Sequence, residues 1–277
     1  NIHSMRSSAC NPSPRYAAVM RAMVLLSHRT TIARITAANR GLGLQADDRM
    51  LWMLPMAYHF AVSICLYIER GVCIVFGNSL RASTSAAIAR DNAVTCVYAS
   101  PYHVRRLAEL PIGHDLPASL RLVVSTTTAL DASAAGEFTA RHGLGVRQGL
   151  GIIEVGLPLL SPGLAGERPG EFGQPLPDYR VRILDATGTA LPNGQTGELA
   201  ITGPGLLDAY LEPWQPRARI VHDGYFRTGD MAAVDADVEE EEADDAVVST
   251  EAPRESNDGR ALPFNCVLLA LVLEVVV

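Results

Sequence analysis

Gly224-Tyr225-Phe226-Arg227-Thr228-Gly229-Asp230 follows a proline-broken segment and leads into a short apolar run, Met231 to Val234. The two glycines permit turns that residues bearing a side chain resist. An aspartate fixed just after such a turn can present its carboxylate to a pair of hydroxyls, as a sugar-binding acid does. Thr-Gly-Asp is also ordinary turn material. The stretch alone leaves both readings open, and the chain on its N-terminal side decides between them.

Working back from that stretch, Tyr179–Leu184 and Gly197–Thr202 alternate apolar with polar residues, the pattern of half-buried strands in an antiparallel or barrel-like unit. Before about Ser161 the pattern differs. Short apolar strands over Met50–Pro55, Val72–Phe76, Val94–Tyr98 and Leu120–Ser125 alternate with helical segments. The helices are expected from Ser27 or Thr30 to Asn39, from Tyr58 to Ile68, over 82–91, from Pro101 to Leu110, and from Ala132 to His142. Ala46–Arg49 reads as a surface turn and Gly145–Gln148 as the way into a glycine-bounded turn. Strand–helix alternation of this kind specifies an α/β fold with a mostly parallel sheet. The strands at 72–76, 94–98 and 120–125 are expected to be neighbours in it. The expected organisation is therefore a poorly ordered segment 1–23, an α/β core over 24–165, a β-rich subdomain over 166–235 and an acidic, apolar-ended tail over 236–277.

The 277 residues contain enough apolar side chains for a real core. All 23 basic residues are arginine, so chemistry that needs a lysine amine has no source within these residues. Five scattered cysteines form no CxxC pair, and three lie in apolar runs, which favours buried free thiols over disulfides or zinc ligands. Neither a signal peptide nor a run long enough for a membrane-spanning helix is visible, so a cytoplasmic protein without a membrane span is expected. Charge is unevenly placed. Residues 1–234 hold 21 arginines against 18 acids, whereas 235–277 hold two against 12. The acidic run from Glu239 to Asp245 repels itself and reads as solvated chain. Val267–Val277 reads as a strand or an aggregation-prone segment. Arg29, Arg34, Arg40 and Arg49 lack the aromatic interleaving of a nucleic-acid surface, and no nucleic-acid partner is expected.

Several pieces fall in a particular order: Leu26-Ser27-His28-Arg29, Leu54-Pro55-Met56-Ala57-Tyr58-His59, Leu150-Gly151-Ile152-Ile153-Glu154, Phe172-Gly173-Gln174-Pro175, Asn193–Leu199 and Gly224–Asp230. Over about 24–235 this order resembles the adenylate-forming ligase superfamily: acyl- and aryl-CoA synthetases, luciferases and peptide-synthetase adenylation domains. The resemblance implies an ATP-dependent ligase that joins a small carboxylic acid to AMP, usually before transfer to coenzyme A or a phosphopantetheine thiol on a carrier protein. On this chain it implies that Asp230 holds the ribose hydroxyls and that Glu154 is the Mg²⁺-linked, catalytic carboxylate. Ser125, Thr126, Thr127 and Thr128 would belong to the loop framing the adenine, with Leu150, Gly151 and Ile153 beside the nucleotide. Tyr58 and His59 would edge the carboxylate-substrate pocket, His59 also in a catalytic role. Read without the resemblance, His59 is an ordinary partly buried histidine and Glu154 a surface acid. The apolar helix around Phe60–Cys65 favours an acyl or aryl acid.

The chain departs from the superfamily pattern at several points. Residues 1–23 contain no glycine or lysine where the phosphate loop belongs. Three β-branched residues, Thr126–Thr128, stand where glycines let the adenine approach closely. Leu150 replaces a stacking aromatic, and Ile153 replaces a threonine hydroxyl on the phosphate side. No arginine-bearing hinge or lysine-bearing small domain follows Asp230. These departures, with the two compositionally unrelated ends, suggest a truncated or frame-disrupted coding sequence. They imply either a ligase inactive alone or a non-catalytic remnant that binds adenine nucleotide weakly or not at all.

Overall fold

In the computed structural model of the protein, the described residues are 23–77, 81–161, 171–235 and 248–249. In chain order the elements are β1 (Val24–Leu25), α1 (His28–Leu42), β2 (Arg49–Trp52) and α2 (Met56–His59). A π-helical stretch over Phe60–Ile64 runs into α3 (Cys65–Arg70), followed by β3 (Cys73–Phe76), α4 (Ala82–Asp91), β4 (Cys96–Ala99), α5 (Pro101–Ala108), β5 (Leu122–Ser125) and α6 (Ala132–His142). The β-rich half comprises β6 (Arg147–Ile152), β7 (Gly156–Leu160), β8 (Glu171–Pro175), β9 (Arg180–Leu184) and β10 (Gly197–Thr202). After it come β11 (Ala209–Tyr210), β12 (Gln215–Pro216), α7 (Arg217–Ile220), β13 (Val221–His222), β14 (Tyr225–Val234) and β15 (Val248–Ser249).

The α/β expectation holds. Strands β3, β2, β4, β5 and β6 run parallel in that order. The sheet continues through β7, β8, β15, β14, β10 and β9 with antiparallel pairings throughout. The period-2 side-chain alternation of the parallel strands explains why both faces are covered. Met50, Trp52, Cys96, Tyr98, Leu122 and Val124 pack on one face, with Ile35 and Ala38 of α1 and Leu66 and Tyr67 of α3. Leu51, Val75, Val97 and Val123 pack on the other, against Ala86, Leu107 and Phe138 of α4, α5 and α6.

Local chemistry sets the helix limits. The Ser27 hydroxyl accepts the Thr30 N–H at 3.2 Å, and Asp131 accepts the Ser133 N–H at 2.8 Å, so α1 and α6 each start on a side-chain cap. Gly43 and Gly143 end the same helices in the left-handed region.

Five expectations are corrected. The strands at 73–76, 96–99 and 122–125 share one sheet, but β2 lies between β3 and β4. The helix after His59 does not run evenly to Ile68: the Cys65 N–H bonds to the Phe60 carbonyl, an i→i+5 bond that widens the turn. The glycine-rich segment after Gly145 is strand β6, paired in a hairpin with β7, because tertiary pairing overrides the low strand propensity of glycine. Asp48, read as part of a surface turn, is buried, since it serves as the acceptor for groups leading into three strands. Val248–Ser249, in a stretch without sequence pattern, forms the strand joining β8 to β14. Among the cysteines, Cys96 is buried, Cys65 half-buried and Cys73 exposed, and all three are free. The segments Glu239–Asp245 and Val267–Val277 lie outside the described residues.

Candidate active site

Because β2, β4, β5 and β6 run parallel, the segments that follow them emerge at one edge of the sheet, the edge at which α/β proteins hold ligands. Three of the sequence-derived groups sit there. His59 follows β2, Ser125–Thr128 follow from the end of β5, and Leu150–Glu154 follow from the end of β6. The fourth, Asp230, comes from β14 in the antiparallel half.

The β6–β7 turn carries Glu154. Its main chain is held on both sides: the Leu207 N–H donates to the Glu154 carbonyl at 2.7 Å, and the buried Arg34 guanidinium donates to the Ile153 carbonyl at 2.9 Å and to the Gly205 carbonyl. Burial lowers the Arg34 pKa to about 10, so it remains a cation at neutral pH beneath the turn. The Tyr210 hydroxyl donates to Glu154 Oε1 at 2.9 Å. Burial raises the Glu154 pKa, and the Asp230 carboxylate raises it further, while the Tyr210 hydroxyl and the Arg34 cation pull the other way.

Asp230 is positioned by its own strand. Gly229 has φ of +81°, and its N–H donates to Glu198 Oε1 at 3.2 Å. The turn at 228–230 is closed by the Asp230 N–H donating to Thr228 Oγ1 at 3.1 Å, and Thr228 in turn donates to the Leu199 carbonyl at 2.9 Å. Burial raises the Asp230 pKa.

A cleft of about 530 Å³ opens at Glu154, lined also by Glu198, Tyr210, Arg219, His222, Thr228 and Gly229 among others; Asp230 follows that wall in the chain and is not itself in the lining. Glu154 and the Thr228–Gly229 turn thus meet at one cavity, although 74 residues separate Glu154 from Thr228 (228 − 154). The remaining predicted residues stand elsewhere. Ser125 and Thr126 are buried at the end of β5, and a Cβ built on Gly151 would lie 3.8 Å from Thr126 Oγ1, so that loop borders the β6 end rather than the cleft wall. Leu150 and Ile153 pack against the main core. His59 packs edge-on to Trp52 (ring centroids 5.3 Å apart) and Tyr98 (5.9 Å), and burial lowers its pKa to about 4. It is therefore neutral at pH 7. Tyr58 lies on the same short helix, and its side chain falls outside the described set. Ala61–Ile64 of the apolar helix are buried in the core.

Sequence reasoning missed Tyr210, Arg219 and His222 as cleft residues, since they lie on β11, α7 and β13, short elements of a proline-broken segment with no periodic signal. It also grouped Arg34 with surface arginines; at 1% exposure beneath the site, it has no access to nucleic acid. Its place on the inward stripe of α1, with Ile35, Ala38 and Leu42, was the available signal. Among the described residues, no group of three metal-ligating side chains occurs, and no helix is long and apolar enough to cross a membrane.

The family model described as AMP-binding enzyme matches residues 21–211. Among curated relatives, a sulfoacetate–CoA ligase of Cupriavidus necator is 31% identical over 220 residues, covering 77% of this chain and 43% of that protein. A feruloyl-CoA synthase of Amycolatopsis is 27% identical over 199 residues, covering 70% and 40%. The chain thus spans less than half the length of these relatives. The solved structure of ATP-bound MatB from Rhodopseudomonas palustris superposes with a TM-score of 0.67 at 22% identity, covering 82% of this chain and 44% of that one, and so shares the fold. The match to the family model across most of the described residues identifies the chain as a member of the AMP-binding enzyme family, the family of acyl- and aryl-CoA ligases that use ATP and AMP.

Proposed function

We propose that this chain carries the nucleotide-holding part of an ATP-dependent carboxylate ligase, with the adenosine ribose on Asp230 and the phosphate side facing Glu154. The observation that carries the reading is the shared cleft between Glu154 and the Thr228–Gly229 turn beside Asp230. Asp230 is half-buried, so two ribose hydroxyls would replace the water its carboxylate now lacks. The adenine would lie toward Thr126–Thr128 and Leu150–Gly151, and the acid substrate toward Tyr58 and His59. A neutral His59 can accept or donate one hydrogen bond without repelling or pairing with charge, which suits positioning.

A divalent cation fits the donor set. Mg²⁺ commonly takes one or two carboxylates and leaves its other positions to phosphate and water, and Glu154 offers a carboxylate with one oxygen bound by Tyr210. Bound there, Mg²⁺ would neutralise charge on the phosphates. The acceptor after adenylation would be coenzyme A or a carrier-protein phosphopantetheine thiol, by analogy with the CoA ligases among the relatives.

The 277 residues alone are expected to bind nucleotide without completing the reaction, because they contain no lysine and span less than half of their relatives. Positive charge aimed at a transferring phosphoryl group commonly lowers the barrier by several kcal/mol. Carboxylate-dependent pyrophosphate release, measured with Mg²⁺, ATP and a panel of aryl and fatty acids, should stay at background. Turnover abolished by both Asp230→Ala and Glu154→Ala would instead establish a working ligase.

A further inference from the structure

Four arginines lie on, beside or beneath the cleft, and three are committed within the protein. Arg34 is buried and bonded to the Ile153 and Gly205 carbonyls. Arg217 donates through Nε to the Leu207 carbonyl at 2.7 Å, bonds the Leu206 carbonyl, and lies 3.5 Å from Asp208. Arg227 donates through Nε to Glu198 Oε2 at 2.7 Å, which neutralises one cleft carboxylate. Arg219 differs. It lines the cleft from α7, is exposed, and makes no hydrogen bond or ion pair to any described residue.

We propose that Arg219 is the side chain that receives the polyphosphate of a bound nucleotide, taking the part that lysine cannot play in this sequence. This deepens the nucleotide reading above and rests on it. A polyphosphate entering the cleft meets Glu154, whose charge is offset by Arg34 below it, and Glu198, whose charge is offset by Arg227. Arg219 is then the uncommitted cation, and its planar fork can donate to two phosphate oxygens at once. Nothing in the fold depends on its head group, so its freedom in the absence of ligand costs no internal bond. His222 lines the same cleft and is exposed, so it can add a hydrogen bond to the same oxygens.

The test separates the phosphate contact from the nucleotide reading by using two probes on the full chain. Inorganic tripolyphosphate, titrated calorimetrically with and without Mg²⁺, should bind the unaltered protein. Arg219→Ala should weaken that binding roughly tenfold or more, since charge-assisted hydrogen bonds are lost, while Arg219→Lys, which keeps the charge and loses the fork, should fall between the two. Asp230→Ala should leave tripolyphosphate binding unchanged and abolish AMP binding. Because Arg219 is exposed, its variants should retain the circular dichroism spectrum of the parent. Equal tripolyphosphate affinity in Arg219→Ala, or no tripolyphosphate binding by the parent, overturns the proposal. If tripolyphosphate binding depends on Arg219 but AMP does not bind, the phosphate contact stands and the nucleotide reading falls.

Discussion

Asp230 and Thr127, both assigned to the proposed nucleotide site, depart from what stability alone would choose. Asp230 has its pKa raised by burial, so its ionised form is disfavoured by the fold. For an acid raised above its unfolded value, the cost is present above the unfolded pKa and disappears below it. Asp230→Asn should therefore increase the urea midpoint at pH 7, with the gain vanishing as pH falls below the ordinary aspartate range, while AMP binding is lost. An unchanged or lower midpoint at pH 7 would show that the carboxylate is better solvated than its position indicates. Thr127 carries φ of +85°, a left-handed conformation that a β-branched residue adopts only under strain. Thr127→Gly relieves that strain but adds chain entropy in the unfolded state. The net expectation is a gain of about 1 kcal/mol in chemical denaturation. A loss of stability would mean that the threonine is accommodated there without strain.

Among the elements, the lower edge of the parallel sheet is fixed by one acid. Asp48, 3% exposed, accepts the Thr95 hydroxyl at 2.7 Å, the Gln45 N–H at 2.8 Å and a fork from Arg121, with Nε at 2.9 Å. Asp48, Thr95 and Arg121 immediately precede β2, β4 and β5, so one carboxylate sets the register of three strands. Burial would raise its pKa, but the hydrogen bonds from Arg121, Gln45 and Thr95 outweigh it and hold the value at about 2. A depressed acid contributes stability above its unfolded pKa that is lost as pH falls through the folded one. Asp48→Asn should thus cost about 2 kcal/mol at pH 7, and its deficit should shrink between pH 4 and pH 2. A pH-independent deficit would reassign the loss to packing. The start of α1 and both limits of α6 were legible because local caps and a glycine set them. Strand β6 was not, because Gly149 and Gly151 suppress strand propensity and only pairing with β5 and β7 makes the segment extended. The clamp at Asp48 was hidden for a related reason: its partners lie 47 and 73 residues away.

At the scale of the whole molecule, the parallel sheet and the β14–β10–β9 ribbon are joined edge to edge through β15. Val248 is fully buried and pairs with Gly173 on one side and Val234 on the other. On its other side Gly173 lies so close to β7 that a Cβ there would stand 2.2 Å from the Ser161 nitrogen. Val248→Ala should cost about 2 kcal/mol in global unfolding. A neutral result would show that the two halves hold together without β15. This joint matters for the site, since Glu154 belongs to one half and Asp230 to the other. The order of motifs singled out both acids, whereas the cleft at Glu154 was not legible: Tyr210, Arg219 and His222 reach it from β11, α7 and β13, short elements that only tertiary packing brings together. The nucleotide reading stands or falls on whether that cleft holds a ribose. AMP titrated calorimetrically into the monodisperse chain should bind, and Asp230→Ala should abolish the heat while leaving the unfolding transition cooperative. Equal AMP affinity in the parent and in Asp230→Ala would contradict the assignment.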